Sequence, residues 1–227
     1  NLYVYAPVTY EYFVKVTEAP ADGNWEGEYL AVYEAASLAF NTALETLDAV
    51  DNGQAVNILY NADSVAMIAA TDANRAMQIT ISQYTEEEAS YLNLRAANGL
   101  YFGALAYTGG PANKITADAD STIFRCYADV VDNEAHLYST VGTTDEILMY
   151  NAGADQNRFR FYKTANQQPV VLYRLTAVSE EDVPTVLGQI SGDTDVEVLK
   201  VILNDRLYIM RNNVWYDAAG IRVADPR

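Results

Sequence analysis

The chain has 227 residues, half of them apolar, with 31 acidic against 14 basic residues and a formal net charge of −17. Such a surface repels nucleic-acid backbones and anionic membranes at long range, and the scattered lysines and arginines form no stripe that would reverse this locally. The apolar half suffices for a sizeable core, while a single cysteine, Cys126, excludes an intrachain disulfide.

In chain order, period-two alternation and clusters of β-branched and aromatic residues predict short strands. The first two cover residues 10–16 and 28–34, separated by a turn-rich loop over 19–27. Short strands follow at 37–40, 55–59, 65–69 and 77–82, each bounded by Asn, Asp or Gly. Residues 35–47 and 85–91 have room for a turn or two of helix, without a long apolar stripe. Strands at 91–96 and 100–105 flank Asn98-Gly99, the strongest hairpin signal in the chain. A second hairpin is predicted from 123–130 and 135–139 across Asp132-Asn133, and strands at 147–150, 158–163 and 170–175 complete the series. About a dozen strands at this spacing predict an all-β fold, an antiparallel barrel or sandwich. The segments LNLRAANGLYFG, IFRCYADVVDNEAHLYS and FRFYKTANQQPVVLYRL each suggest two strands around a polar turn, which keeps a β-trefoil as the alternative. The acidic stretch after β-rich residue 175 suggests a main domain over 1–177 and a small β-extension over 178–227, with strands at 196–203, 207–210, 214–216 and 221–223.

Catalytic motifs are missing. His136, the single histidine, reads as an ordinary strand residue, and Cys126 as a buried small apolar one. One Cys and one His exclude a structural zinc site, and the acids at Asp118, Asp120, Asp129, Asp132 and Glu134 follow no EF-hand pattern. Glu86-Glu87-Glu88 reads as a solvated charge run, and Gly109-Gly110-Pro111 as a turn without a phosphate-binding signature. No metal and no cofactor is expected. What remains is aromatic: there are 18 tyrosines, and alternation sends some rings outward, where ring faces and neighbouring amides suit a sugar or a peptide. Trp25, Tyr101, Tyr107 and Trp215 are the residues singled out for ligand binding.

The run YFVKVTEAPADGNWEGEYLAVYE resembles the opening of a module recurrent in exported Bacteroidales proteins, and NRFRFYKTANQQPVVLYRL resembles its closing segment; together they bracket residues 10–175. The final LYIMRNNVWYDAAGIRV is similar to a short C-terminal motif of secreted or surface Bacteroidales proteins, with Tyr216 and Gly220 at the motif positions. The resemblance implies an accessory module beside catalytic domains, itself without catalytic residues. Export to the cell surface, periplasm or medium is expected from it, from the tyrosine content and from a first residue, Asn1, that is not methionine. No stretch approaches the roughly 20 apolar residues of a membrane-spanning helix, so no membrane insertion is expected. The expected role is a non-catalytic binding module whose ligand is a glycan or a protein. The alternatives are a carboxylate-based hydrolase of carbohydrate, which needs two acids facing across a cleft, and a structural subunit of a surface assembly.

Overall fold

The computed structural model describes residues 10–106, 113–184, 198–203, 206–211, 214–217 and 222–223. Contacts divide the chain into two compact units, Asn1–Val186 and Leu187–Arg227. Both are antiparallel β-structure, as the alternation predicts.

The first unit opens with β1 (Tyr10–Lys15) and β2 (Gly27–Tyr33), then a 3-10 turn (Glu34–Ala36) and β3 (Leu38–Phe40). β4 (Gly53–Ala55), β5 (Ile58–Tyr60) and β6 (Ala66–Ala69) are short, and the predicted 55–59 strand is in fact split between β4 and β5. One helical turn, α1 (Asp72–Arg75), is capped by Thr71 Oγ1 accepting from the Asn74 N–H. β7 (Ile79–Glu86), β8 (Ala89–Arg95), β9 (Tyr101–Gly103) and β10 (Thr116–Asp118) follow. β11 (Cys126–Val131), β12 (Glu134–Val141), β13 (Thr144–Asn151), β14 (Arg158–Tyr162), β15 (Gln168–Pro169) and β16 (Val171–Val178) complete it. The ladder runs β14-β13-β12-β11-β8-β7-β2-β16-β1-β6-β5, with β9, β10, β3, β4 and β15 attached at its sides.

The hairpin expectations fare unequally. Asp132 and Asn133 both take positive φ (53° and 62°) between β11 and β12, the two-residue turn that matches strand twist. At the other signal β8 and β9 do pair, but Gly99 (φ 92°) is the last residue of a four-residue turn, its N–H donating to Ala96 O (2.9 Å). Residues 85–91 hold no helix. They are the tip of the β7–β8 hairpin, and Glu87 and Glu88 take φ of 49° and 71° as its turn. The charge run is therefore also a turn, formed because seven cross-strand pairs from Thr80↔Arg95 to Glu86↔Ala89 outweigh the local cost. The third repeat-like segment is not a hairpin: β14 pairs with β13, while β16 pairs with β1 and β2.

β2 lacks polar alternation because it is buried on both faces. Tyr29 and Ala31 join a core with Phe40, Phe102, Phe159 and Phe161, whereas Leu30 and Val32 join a second core with Phe13, Ile68 and Tyr173. β16 divides in the same way, Leu172 on one side and Val171 and Tyr173 on the other. The EYLAVYE run is thus a wall between two cores. Packing on the first side is tight: a Cβ built on Gly103 would lie 2.7 Å from the Phe124 ring.

The ladder does not return to its start, and single backbone and side-chain groups bridge the gaps. Val16, just past β1, donates its N–H to Leu172 O (2.9 Å), and its own carbonyl accepts from Ala135 N–H (3.2 Å), linking β16 to β12. At the β14 edge the buried Asn52 amide takes the place of a strand: Oδ1 accepts from Phe159 N–H (2.7 Å) and Nδ2 donates to Phe159 O (3.0 Å) and Leu47 O (2.7 Å). Arg160 reinforces the seam with two bonds to Asp48, at 2.7 and 2.6 Å.

In the second unit β17 (Val198–Leu203), β18 (Arg206–Arg211), β19 (Val214–Asp217) and β20 (Arg222–Val223) form an antiparallel meander in chain order. Ser191-Gly192-Asp193, Asn212-Asn213 and Ala219-Gly220, whose composition suggests turns, lie outside the described residues.

Replacing Asn52 with leucine leaves the Phe159 N–H and C=O unpaired in the core, and urea unfolding is expected to register a loss of about 2–4 kcal/mol. In the opposite direction, Glu87→Asn with Glu88→Gly supplies residues that tolerate positive φ and is expected to add about 1 kcal/mol in the same assay. A neutral result for the first substitution, or a loss for the second, contradicts the role given to each position.

Candidate functional site

Of the four residues singled out from sequence, Trp25 and Tyr101 lie in the first unit and Trp215 in the second. Trp25 is 7% exposed and belongs to the first core; its N–H donates to Gln83 Oε1 (2.8 Å), and Tyr29 OH donates to its carbonyl (2.9 Å). Trp215, in β19, is 4% exposed. Neither indole offers a free face, because each ring is large and apolar enough for burial to win over exposure. Tyr101, in β9, is half-buried against the first core, and Tyr107 lies outside the described residues, as do Gly109, Gly110 and Pro111.

The outward aromatics are others. β7, β8, β11 and β12 are neighbours in the ladder. On their inner face lie Ile79, Ile81, Leu92, Leu94, Cys126 and Leu137, all within the first core. Alternation sends Tyr84, Tyr91, Tyr127 and Tyr138 to the other side. Register then pairs them directly, Tyr84 with Tyr91 and Tyr127 with Tyr138. The Tyr127 and Tyr138 rings stack with centroids 4.8 Å apart and planes within 7°, and Tyr84 and Tyr91 sit 5.6 Å apart at 33°. The tyrosine face follows from cross-strand pairing, and here the rings are partly exposed and outside the core clusters.

Charge is distributed unevenly over this face. Arg125 lies 5.3 Å from the Tyr91 ring centroid, donates to Tyr84 OH (3.2 Å) and pairs with Glu86 (2.6 Å). Tyr127 and Tyr138 instead have Asp129 and Asp145 beside them. Partial burial first, and then Asp145, Tyr138 and Asp129, push the Tyr127 phenol up to about 12. Tyr138 is raised by burial and by the same two carboxylates.

A second feature gathers the acids a hydrolase would need. Lys15 Nζ donates to Glu34 Oε2 (2.8 Å) and to Glu134 Oε1 (2.9 Å), and Tyr173 OH donates to Glu34 Oε1. Burial works to lower the Lys15 pKa, but its bonds and charge interactions with Glu34 and Glu134 outweigh this and leave it raised. Glu34 and Glu134 border a shallow pocket of about 320 Å³ that Tyr33 and Gln168 also line. His136, two residues along β12 from Glu134, is 8% exposed, with Nδ1 2.8 Å from Val170 O. These groups lie at the place where Val16 joins β12 to β16.

The other sequence candidates have structural explanations. Cys126 is fully buried, and burial pushes its thiol up to about 12, out of the reactive range. Asp118 accepts from Asp120 N–H (2.9 Å), and Asp120 in turn caps Thr122 through N–H (2.9 Å) and Oγ1 (2.7 Å). Those bonds to Thr122 lower the Asp120 pKa. Among the described residues no three Cys, His, Asp or Glu side chains cluster as metal ligands, and no helix is long and apolar enough to cross a membrane.

Sequence reasoning also missed Glu146. It follows Ser139 in register on the inner face of β13, is 1% exposed, and leaves Oε2 without a hydrogen-bond partner. No family model matches the chain, and no curated protein or solved structure matches it.

Burial raises the Glu146 pKa, a shift that the charge of Lys163 opposes. The folded state therefore binds this proton more tightly than the unfolded chain, so the stabilisation is fully present below the ordinary Glu value and is lost as pH rises through the raised one. Glu146→Gln is accordingly expected to melt at higher temperature than the parent near neutral pH, with the difference closing toward about pH 4. Equal melting temperatures at both pH values would show that the carboxylate finds a partner.

Proposed function

We propose that the chain is a non-catalytic binding module of an exported bacterial protein, and that its ligand, a glycan or a protein, docks on the tyrosine face of β7, β8, β11 and β12. The observation that carries this reading is the stacked Tyr127–Tyr138 pair, partly exposed on the outside of a hairpin whose inner face already fills the core. Two stacked phenols cost little rotamer entropy to hold in place, present apolar ring surface, and carry hydroxyls at the rim. That combination serves a flat sugar ring or a peptide side chain equally well. Export rests on the resemblance of the two end segments to Bacteroidales modules and on the tyrosine-rich, lysine-poor surface.

A carboxylate-based hydrolase has one observation in its favour, the approach of Glu34 and Glu134 on one pocket. Retaining glycosidases hold two carboxyls about 5–5.5 Å apart with the anomeric carbon between them. Here the Lys15 ammonium fills that space and pairs with both acids. The same groups join β1, β2, β12 and β16, which gives them a sufficient structural role. Binding is therefore the better-supported reading.

The test is a Tyr127→Ala/Tyr138→Ala double variant, with glycan arrays and protein pull-downs run on both chains. The parent is expected to retain a ligand that the variant binds at least about tenfold more weakly, the loss typical of a central aromatic contact. No ligand of either class for the parent, an unaffected variant, or release of reducing sugar from an oligosaccharide panel would each overturn the proposal.

A further inference from the structure

The outward tyrosines form two pairs, Tyr84–Tyr91 and Tyr127–Tyr138, each beside acidic residues, and the first of them already has a cation. Arg125 lies over Tyr91 and pairs with Glu86. The Tyr127–Tyr138 pair has the rings and the carboxylates, yet among the described residues no Lys or Arg is recorded over either ring. Asp129 and Asp145 are both exposed, and neither is in an ion pair among the described residues. Asp129 accepts from its neighbour Val130 N–H (2.8 Å) and Asp145 from Thr140 Oγ1 (2.7 Å), bonds that fix the carboxylates without neutralising them.

We propose that Tyr127, Tyr138, Asp129 and Asp145 form a docking site for a guanidinium or ammonium side chain on a basic segment of a partner protein. This rests on the binding reading above and names the chemistry of its ligand. A cation over a tyrosine face gains from the ring quadrupole, and a nearby carboxylate makes the contact charge-assisted. A neutral sugar would use the rings but leave both carboxylates uncompensated. The net charge of −17 acts in the same direction, drawing a basic partner in at long range. Burial is the first cause of the raised Tyr127 pKa; Asp145 and Asp129 add to it, and a bound cation would oppose that added part.

The experiment titrates the full chain by calorimetry with hexa-arginine, with its uncharged hexa-citrulline counterpart and with cellohexaose. Two variants are run alongside: Asp129→Asn/Asp145→Asn, and Glu180→Gln/Glu181→Gln, which changes net charge equally on a different segment. Hexa-arginine is expected to bind the parent, with hexa-citrulline at least about tenfold weaker. The Asp129/Asp145 variant should lose about tenfold and the Glu180/Glu181 control less than about twofold. Equal losses in both variants would reduce the effect to net-charge attraction and overturn the site. Binding of cellohexaose but not hexa-arginine, weakened by Tyr127→Ala/Tyr138→Ala, would overturn the cationic ligand while leaving the binding module standing. Binding of neither probe overturns the cationic site, and the module reading falls with it only if the arrays and pull-downs are also empty.

Discussion

The fold depends on how an open ladder of strands is kept from separating where pairing stops. β12 and β16 approach each other without a ladder, and the junction between them is made by single groups. Val16 bonds Leu172 on one side and Ala135 on the other. The Lys15 ammonium, one residue away, ties Glu34 beyond the end of β2 to Glu134 at the start of β12. His136 reaches Val170 O from the same stretch of β12. Each partner is only partly exposed, so these bonds are shielded from solvent more than an ordinary surface pair. Removing one member would leave charge without its counterpart at the seam.

That junction accounts for the features that would otherwise suggest catalysis. The single histidine, a close pair of glutamates, a lysine and a tyrosine meet in one place, and a search for titratable clusters stops there first. Each of them, however, has its hydrogen-bonding capacity directed at another strand. The inner face of β11, β12 and β13 shows a related economy of polar groups: Cys126, Ser139 and Glu146 stand in register across three strands, buried among aromatics. Ser139 Oγ accepts from the Ala104 N–H (2.9 Å), and Glu146 is the member left with an unmatched oxygen. The opposite face of the same strands carries the stacked tyrosines and exposed aspartates. Inner and outer faces of one hairpin thus divide the work, the first holding the core and the second facing solvent with rings and charge.

Much of this was legible in the sequence. Alternation identified the strands, and the Asp132-Asn133 turn sets the register of β11 against β12. Counting back from that turn opposes Tyr127 to Tyr138, and alternation places both on the side away from Cys126. The tyrosine face was therefore within reach of sequence reasoning, and attention to the tryptophans obscured it. The Tyr84–Tyr91 pair was harder to find, because its register depends on a turn made by Glu87 and Glu88. Two glutamates at positive φ carry no turn signature, and only the pairing energy of a long hairpin makes them adopt it.

Local chemistry is what the sequence by itself determined: strand class, the Asp132-Asn133 turn, the acidic surface, and the lack of zinc, thiol and phosphate-loop motifs. These follow from neighbours within a few residues, where period and propensity act. The tertiary structure alone decided which side chains face each other over long separations. Lys15 meets Glu134 across 119 positions and Asn52 meets Phe159 across 107. It also decided that β2 is covered on both sides and that Trp25 is enclosed. Those outcomes depend on which strand lies next to which, and a period-two pattern is the same whatever its neighbour.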